Sequence, residues 1–289
     1  MTAWGIGAGD TVLIPAMVTL AAVEAIRRLD AIPVFVDIDP DTYNINPCAV
    51  EKTVLSILGV GKLTPKVIIS VDMFGLPADY EALELLASKY GIKTIEDATQ
   101  ALGATYNGRK AGSFGDVAFG TFSPPKLSGR YGEDGAAFLN DYRLAEVIKA
   151  IGSSEQDRQA VVKAAGILPR LAILEGELKQ RSRVAERYTM ELNGIVKTPT
   201  VSKWAVPAWS SYCVMARDEV ERERIRRRFR EFGIPVGMPF ERPLWLEEDA
   251  GVVQGEFPGA ELVRRRALLL QMHAYLTDEG MDEIVRAIK

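Results

Sequence analysis

A chain of 289 residues, 47% hydrophobic and 26% charged, has the length of about two compact domains and the composition of an ordinary globular protein. Disordered, collagenous and disulfide-stapled classes are thereby excluded. With 35 Lys and Arg against 39 Asp and Glu, the formal charge is -4, so no global positive field marks nucleic acid or an acidic membrane as a partner. Cys48 and Cys213 lie far apart in ordinary segments, and His273 is the only histidine, so neither a disulfide framework nor a metal site is expected. The start, Met-Thr-Ala-Trp-Gly-Ile-Gly, has no basic opening and no apolar run, and no stretch approaches the ~18 apolar residues of a membrane span. A cytoplasmic protein is the expectation.

In chain order, Val12 to Ile14, Pro33 to Val36, Val67 to Val71 and Lys93 to Ile95 read as short apolar strands. Between them Ala21 to Leu29, Cys48 to Leu58 and Tyr80 to Tyr90 read as helices. This βαβ rhythm requires a mostly parallel sheet with helices on both faces, and ligands of such sheets sit at the carboxyl ends of the strands. A strand at Val117 to Phe122 runs into a loop rich in Pro and Gly, followed by a second apolar strand at Ala136 to Leu139. Apolar spacing at Ile167, Leu171, Leu174, Leu178, Ala185 and Tyr188 predicts one long helix to about Asn193, with Pro169 tolerable only near its first turn. Beyond it a strand at Tyr212 to Met215, a helix at Val220 to Phe232, a short strand at Ile234 to Val236 and helices near Ala260 to Leu269 and Asp278 to Ile288 form a smaller α/β unit. The expected division is a large domain over 1–178 and a small one over 179–289.

Lys126 lies in a loop just past an apolar strand, and Asp97 ends the strand-like Thr94-Ile95-Glu96-Asp97. A lysine amine and a carboxylate at one sheet edge suit pyridoxal phosphate, whose aldehyde bonds an amine and whose ring nitrogen must stay protonated. Taken by themselves, the two read more readily as a solvated loop lysine and a helix cap, since most loop lysines are solvated. The series Arg222, Arg224, Arg226, Arg227, Arg228 and Arg230 is interleaved with Glu219, Glu221, Glu223 and Glu231 around an apolar stripe of Ile225, Phe229 and Phe232, so it reads as a solvated helix face.

Several ordered blocks settle the choice for Lys126 and Asp97. Ile95-Glu96-Asp97-Ala98-Thr99-Gln100, Gly112-Ser113-Phe114-Gly115-Asp116, Thr121-Phe122-Ser123-Pro124-Pro125-Lys126 and Gly132-Glu133-Asp134-Gly135 resemble the core signature of the DegT/DnrJ/StrS nucleotide-sugar aminotransferases. Phe74-Gly75-Leu76-Pro77-Ala78-Asp79 upstream and Met272-His273-Ala274-Tyr275-Leu276-Thr277 near the end are similar to the same family, in the same order. The resemblance implies a three-layer α/β/α fold of the aspartate aminotransferase superfamily (fold type I). It implies pyridoxal 5'-phosphate as cofactor and transfer of an amino group from glutamate or glutamine to a keto sugar, with nucleotide-linked sugars foremost. It further implies a homodimer whose active sites are composite.

Position by position, the resemblance makes Lys126 the lysine that bonds the cofactor and shuttles the proton, and Asp97 the partner of the ring nitrogen. Gln100 would touch the ring oxygen, Thr121 the phosphate, and Gln156 the phosphate of the neighbouring subunit. The pattern departs from the family at Thr19, where an aromatic residue usually stacks on the cofactor, and at Ser210, Met238-Pro239 and Asp134. Family members also carry about 50 to 60 residues ahead of the first strand seen here, ending in a Ser-Gly-Thr that cradles the phosphate on backbone amides. A second reading, from another class, is a homologue that keeps the scaffold and serves as a partner; a sugar dehydratase on the same scaffold is disfavoured because such enzymes lack the lysine.

Overall fold

The computed structural model describes residues 1–121, 135–152, 157–241, 243–246 and 255–289. In chain order its elements are β1 (Asp10–Pro15), α1 (Leu20–Arg27), β2 (Ile32–Val36), α2 (Pro47–Val60), β3 (Thr64–Val71), α3 (Tyr80–Tyr90), β4 (Lys93–Asp97), β5 (Thr105–Tyr106), β6 (Arg109–Lys110), β7 (Val117–Thr121) and β8 (Gly135–Phe138). There follow α4 (Tyr142–Gly152), α5 (Asp157–Leu192), β9 (Ala205–Val206), β10 (Tyr212–Met215), α6 (Glu219–Glu231), α7 (Pro258–Arg266), β11 (Ala267–Leu270) and α8 (Asp278–Ile288).

The main sheet runs β2-β1-β3-β4-β7-β8, with the first five strands parallel and β8 antiparallel to β7. Alternation along β1 separates the two helical layers. Val12 and Ile14 pack with Val23 and Ile26 of α1 and with Ala260 and Val263 of α7. Leu13 points the other way, into Val50 and Val54 of α2 and Leu83 and Leu86 of α3. A sheet buried on both faces needs near-continuous apolar strands, which is why these segments were legible as runs. The helix ends follow local chemistry. Asn46 accepts the amides of Cys48 and Ala49 with Pro47 in the first turn, Asp79 accepts that of Ala82, and Gly61 and Gly91 close their helices at φ 70° and 65°. The three expected layers are therefore present.

A second core lies over the two-stranded pair β10-β11. There Val184, Ala185, Tyr188 and Leu192 of α5 meet Ile225 and Phe229 of α6 and Met281, Ile284 and Val285 of α8. On the solvent side of α6, Arg222 and Arg226 pair with Glu223, and Arg224 with Glu221, the face of alternating charges that the pattern predicted.

Three readings need correction. The long helix begins at Asp157, which places Pro169 inside it, about three turns from the start. A proline there removes one hydrogen bond at a cost of roughly 3 kcal/mol, which a 36-residue helix anchored by its C-terminal core residues absorbs. Ala267 to Leu269 are strand, not the end of a helix, because they pair in register with Met215, Val214 and Cys213 of β10 respectively. Ile234 to Val236 form no strand; only the adjoining Gly237 bridges Leu269. The helix α4 was not foreseen.

Candidate active site

The chain order of the sheet reverses at β1, which lies between β2 and β3, and sheets of this kind bind their ligands past the carboxyl ends of the strands. Asp97 is the last residue of β4, opposite Val71 of β3 and Phe119 of β7. Its backbone is pinned from both sides. The Asp72 amide donates to the Asp97 carbonyl at 3.0 Å, and the Ala98 amide to the Phe119 carbonyl at 2.8 Å. The Asp97 carboxylate Oδ1 accepts the Thr99 amide at 3.0 Å. Burial pushes the carboxyl above its usual range, and the Thr99 hydrogen bonds offset only part of that. A carboxylate so placed gains from a cationic partner, which would restore its charge.

Gln100 follows in the next turn. Its Oε1 accepts the Phe74 amide at 3.1 Å, while among the described residues its Nε2 meets only the Met73 sulfur at 3.8 Å, a weak acceptor. The amide is thus oriented with its donor end lacking an oxygen partner. Thr121 closes β7, and its hydroxyl donates to the Thr99 carbonyl at 3.4 Å, joining it to the Asp97–Gln100 turn. These three residues, scattered over 25 positions of sequence, meet at one end of two adjacent strands. Lys126, Gln156 and Asp134 lie outside the described residues.

The turn that carries Phe74 is tightly fitted. Phe74 and Gly75 both have positive φ, and a Cβ at Gly75 would approach the backbone amides of Trp209 and Ser210 to 2.9 Å. Only glycine fits there. Ser210 donates its amide to the Phe74 carbonyl at 3.1 Å, and its buried hydroxyl has no partner among the described residues. Thr19 is the exposed residue preceding α1, and its side chain makes no bond to the helix amides. His273 is exposed, and its backbone carbonyl accepts the Leu276 amide at 3.4 Å.

Sequence reasoning missed Asp72, Glu96 and Tyr80, which form a buried polar cluster beside Asp97. The signal for Asp72 was available. An acidic residue closes the apolar strand β3 just as Asp97 closes β4.

Against known proteins, the model of the DegT/DnrJ/EryC1/StrS aminotransferase family matches residues 1–289. The UDP-2-acetamido-2-deoxy-3-oxo-D-glucuronate aminotransferase of Pseudomonas aeruginosa is 33% identical over 99% of this chain and 80% of its own length. The dTDP-3-amino-3,6-dideoxy-alpha-D-galactopyranose transaminase of Aneurinibacillus thermoaerophilus is 31% identical over 99% and 80%. The crystal structure of a DegT/DnrJ/EryC1/StrS aminotransferase from Brucella abortus superposes with a TM-score of 0.90 at 34% identity, covering 98% of this chain and 80% of that one. Fold and site define a fold type I aminotransferase, and the chain belongs to the DegT/DnrJ/EryC1/StrS aminotransferase family. Aminotransferases of that family depend on pyridoxal 5'-phosphate. The described residues fit that group: a half-buried carboxylate with no cation among the described residues, an oriented amide donor and a threonine hydroxyl converge at the carboxyl ends of β4 and β7. Among the described residues no helix is long and apolar enough to cross a membrane.

Proposed function

We propose that the chain transfers an amino group from glutamate or glutamine to the keto carbon of a nucleotide-linked sugar, with Lys126, Asp97, Gln100, Thr121 and Gln156 as its site residues. The observation that carries this reading is the convergence of Asp97, Gln100 and Thr121 at the carboxyl ends of β4 and β7. Pyridoxal phosphate, when bound, supplies an electron sink that makes the carbon beside the amine acidic. The chain's own residues do the rest. Asp97 would hold the ring nitrogen protonated, Gln100 would donate to the ring oxygen through Nε2, Thr121 would offer its hydroxyl to the phosphate, and the Lys126 amine would take and return the proton. The substrate class follows from similar proteins whose names specify UDP- and dTDP-linked sugars.

The division into a large domain over 1–178 and a small domain over 179–289 is supported by the separate core around β10 and β11. A homodimer is supported by exposed apolar side chains gathered on β8 and α4, namely Phe138, Tyr142, Val147 and Ile151. Two free cysteines fit a cytoplasmic setting. The test of function incubates the protein and pyridoxal phosphate with glutamate, or in parallel glutamine, and a panel of UDP- and dTDP-linked 3-keto and 4-keto sugars. An amino sugar in one of them is the expected product; turnover of simple keto acids alone contradicts the sugar assignment. Light scattering should report two chains per particle, and a monomer at working concentration contradicts the dimer.

A further inference from the structure

Asp72, just past the end of β3, and Glu96, inside β4, are both fully buried. Asp72 Oδ1 accepts two donors, the Ala78 amide at 3.0 Å and the Tyr80 hydroxyl at 2.6 Å; that hydroxyl in turn accepts from Ser70 at 3.2 Å. Asp72 Oδ2 is buried and receives no donor among the described residues. Glu96 is supplied on both oxygens, by the Gly112 amide at 2.6 Å and the Phe114 amide at 2.7 Å. The β3–β4 register sets Ser70 opposite Glu96, and the Asp72 amide continues that ladder to the Asp97 carbonyl, so Asp72, two residues past Ser70, lies on the same face of the sheet as Glu96. Two carboxyl groups buried on one face of a sheet favour holding one proton between them, and the donor-starved Oδ2 of Asp72 is the oxygen that can carry it. Glu96, with two amides directed at it, holds the charge.

We propose that Asp72 and Glu96 form a proton-sharing acid pair beside the cofactor end of the sheet, in which protonated Asp72 is the positioning residue that sets Asp97 and Gln100. The links are short. The Asp72 amide donates to the Asp97 carbonyl, and Glu96 is the residue before Asp97. Through Ala78, Asp72 Oδ1 closes the turn over 73–77, whose Phe74 amide fixes Gln100. A second negative charge at Asp72 would be repelled by Glu96 and would loosen both connections.

Burial raises the carboxyls of Asp72 and Glu96 above the usual range, the Glu96 charge adding to the effect on Asp72. The other titratable groups facing the pair are Tyr80 from α3, raised by the same burial, and Arg109 from β6, whose attraction favours the Glu96 charge. Glu84 of α3 lines the same small cavity as Glu96 and Tyr80, and its carboxylate is paired with Arg109. Asp97, the chain neighbour, is raised independently by burial.

The role assigned to Asp72 rests on the cofactor site proposed above; the proton sharing does not, so two readouts separate them. The first is urea unfolding of the cofactor-free chain from about pH 5 to about pH 9, well above the unfolded carboxyl value near 3.9. A proton held only by the folded state makes the folding constant of the natural sequence fall by up to about tenfold per pH unit relative to Asp72→Asn. Asparagine reproduces the protonated acid, accepting through Oδ1 and donating to Glu96 through Nδ2, so its profile should be the shallower one. Parallel profiles overturn the shared proton. The second readout is pyridoxal phosphate affinity at neutral pH. Asp72→Ala should weaken it by about tenfold or more, the loss of one or more buried hydrogen bonds, while Asp72→Asn restores it to within about twofold. Unchanged affinity in Asp72→Ala overturns the positioning role. Should the alanine variant fail to fold, affinity in Asp72→Asn decides, since a tenfold loss there contradicts a neutral Asp72. A natural sequence that binds no cofactor sinks the proposed site while the urea profiles still judge the acid pair.

Discussion

Asp97 shows how a single position links stability to function. Its carboxyl is largely shielded from water, with no cation among the described residues, so its value in the folded chain stands above the unfolded value of about 3.9. The sign follows directly. A raised carboxyl contributes stability that is full below the unfolded value and is lost as pH climbs through the folded one. Asp97→Asn keeps an acceptor for the Thr99 amide and has nothing to titrate, so its urea midpoint at pH 7 should equal or exceed that of the natural sequence. Its rate of amino transfer should nevertheless fall by roughly 10²- to 10³-fold, as when one preorganised electrostatic contact is removed. A variant of full activity would show that the carboxylate does not serve the cofactor. At this scale Asp97, Gln100 and Thr121 were legible because each sits in a contiguous block with its own chemistry. The pairing of Asp72 with Glu96 was not, because 24 residues and the register of β3 against β4 decide it.

Between elements, the α7 helix is held to the sheet by one acidic side chain. Asp37, just past β2, accepts the amides of Gly259 at 2.8 Å and Ala260 at 2.9 Å at the start of α7, where amides have no helical partners and the dipole favours an anion. Gly259 must be glycine, since a Cβ there would overlap the Ile38 carbonyl. Asp37→Ala removes both bonds and should cost about 2 kcal/mol, read as a lowered urea midpoint. An unchanged midpoint would mean that the apolar contacts of Ala260 and Val263 alone seat the helix. Most elements were legible from periodicity, and the exceptions share one cause. Ala267-Leu268-Leu269-Leu270 continues a helix without a breaker and has strong helix propensity, yet pairing with β10 makes it strand. Pro169 marks the converse, a local breaker overridden by the length and tertiary anchoring of α5.

For the whole molecule, the sequence implied alternating strands and helices, while the strand order, with β1 between β2 and β3, is a property of the folded sheet. That order brings the ends of β3, β4 and β7 together and turns separate motifs into one site. The account depends on that site binding pyridoxal phosphate through Lys126. The direct measurement is a titration of the purified protein with pyridoxal phosphate, followed by visible absorbance, borohydride reduction and peptide mapping. The expected result is a saturable visible band, lost on reduction, with the cofactor fixed on Lys126 and the band absent in a folded Lys126→Ala variant. A folded natural sequence that gives no band at saturating cofactor, or one labelled at a different lysine, would contradict it.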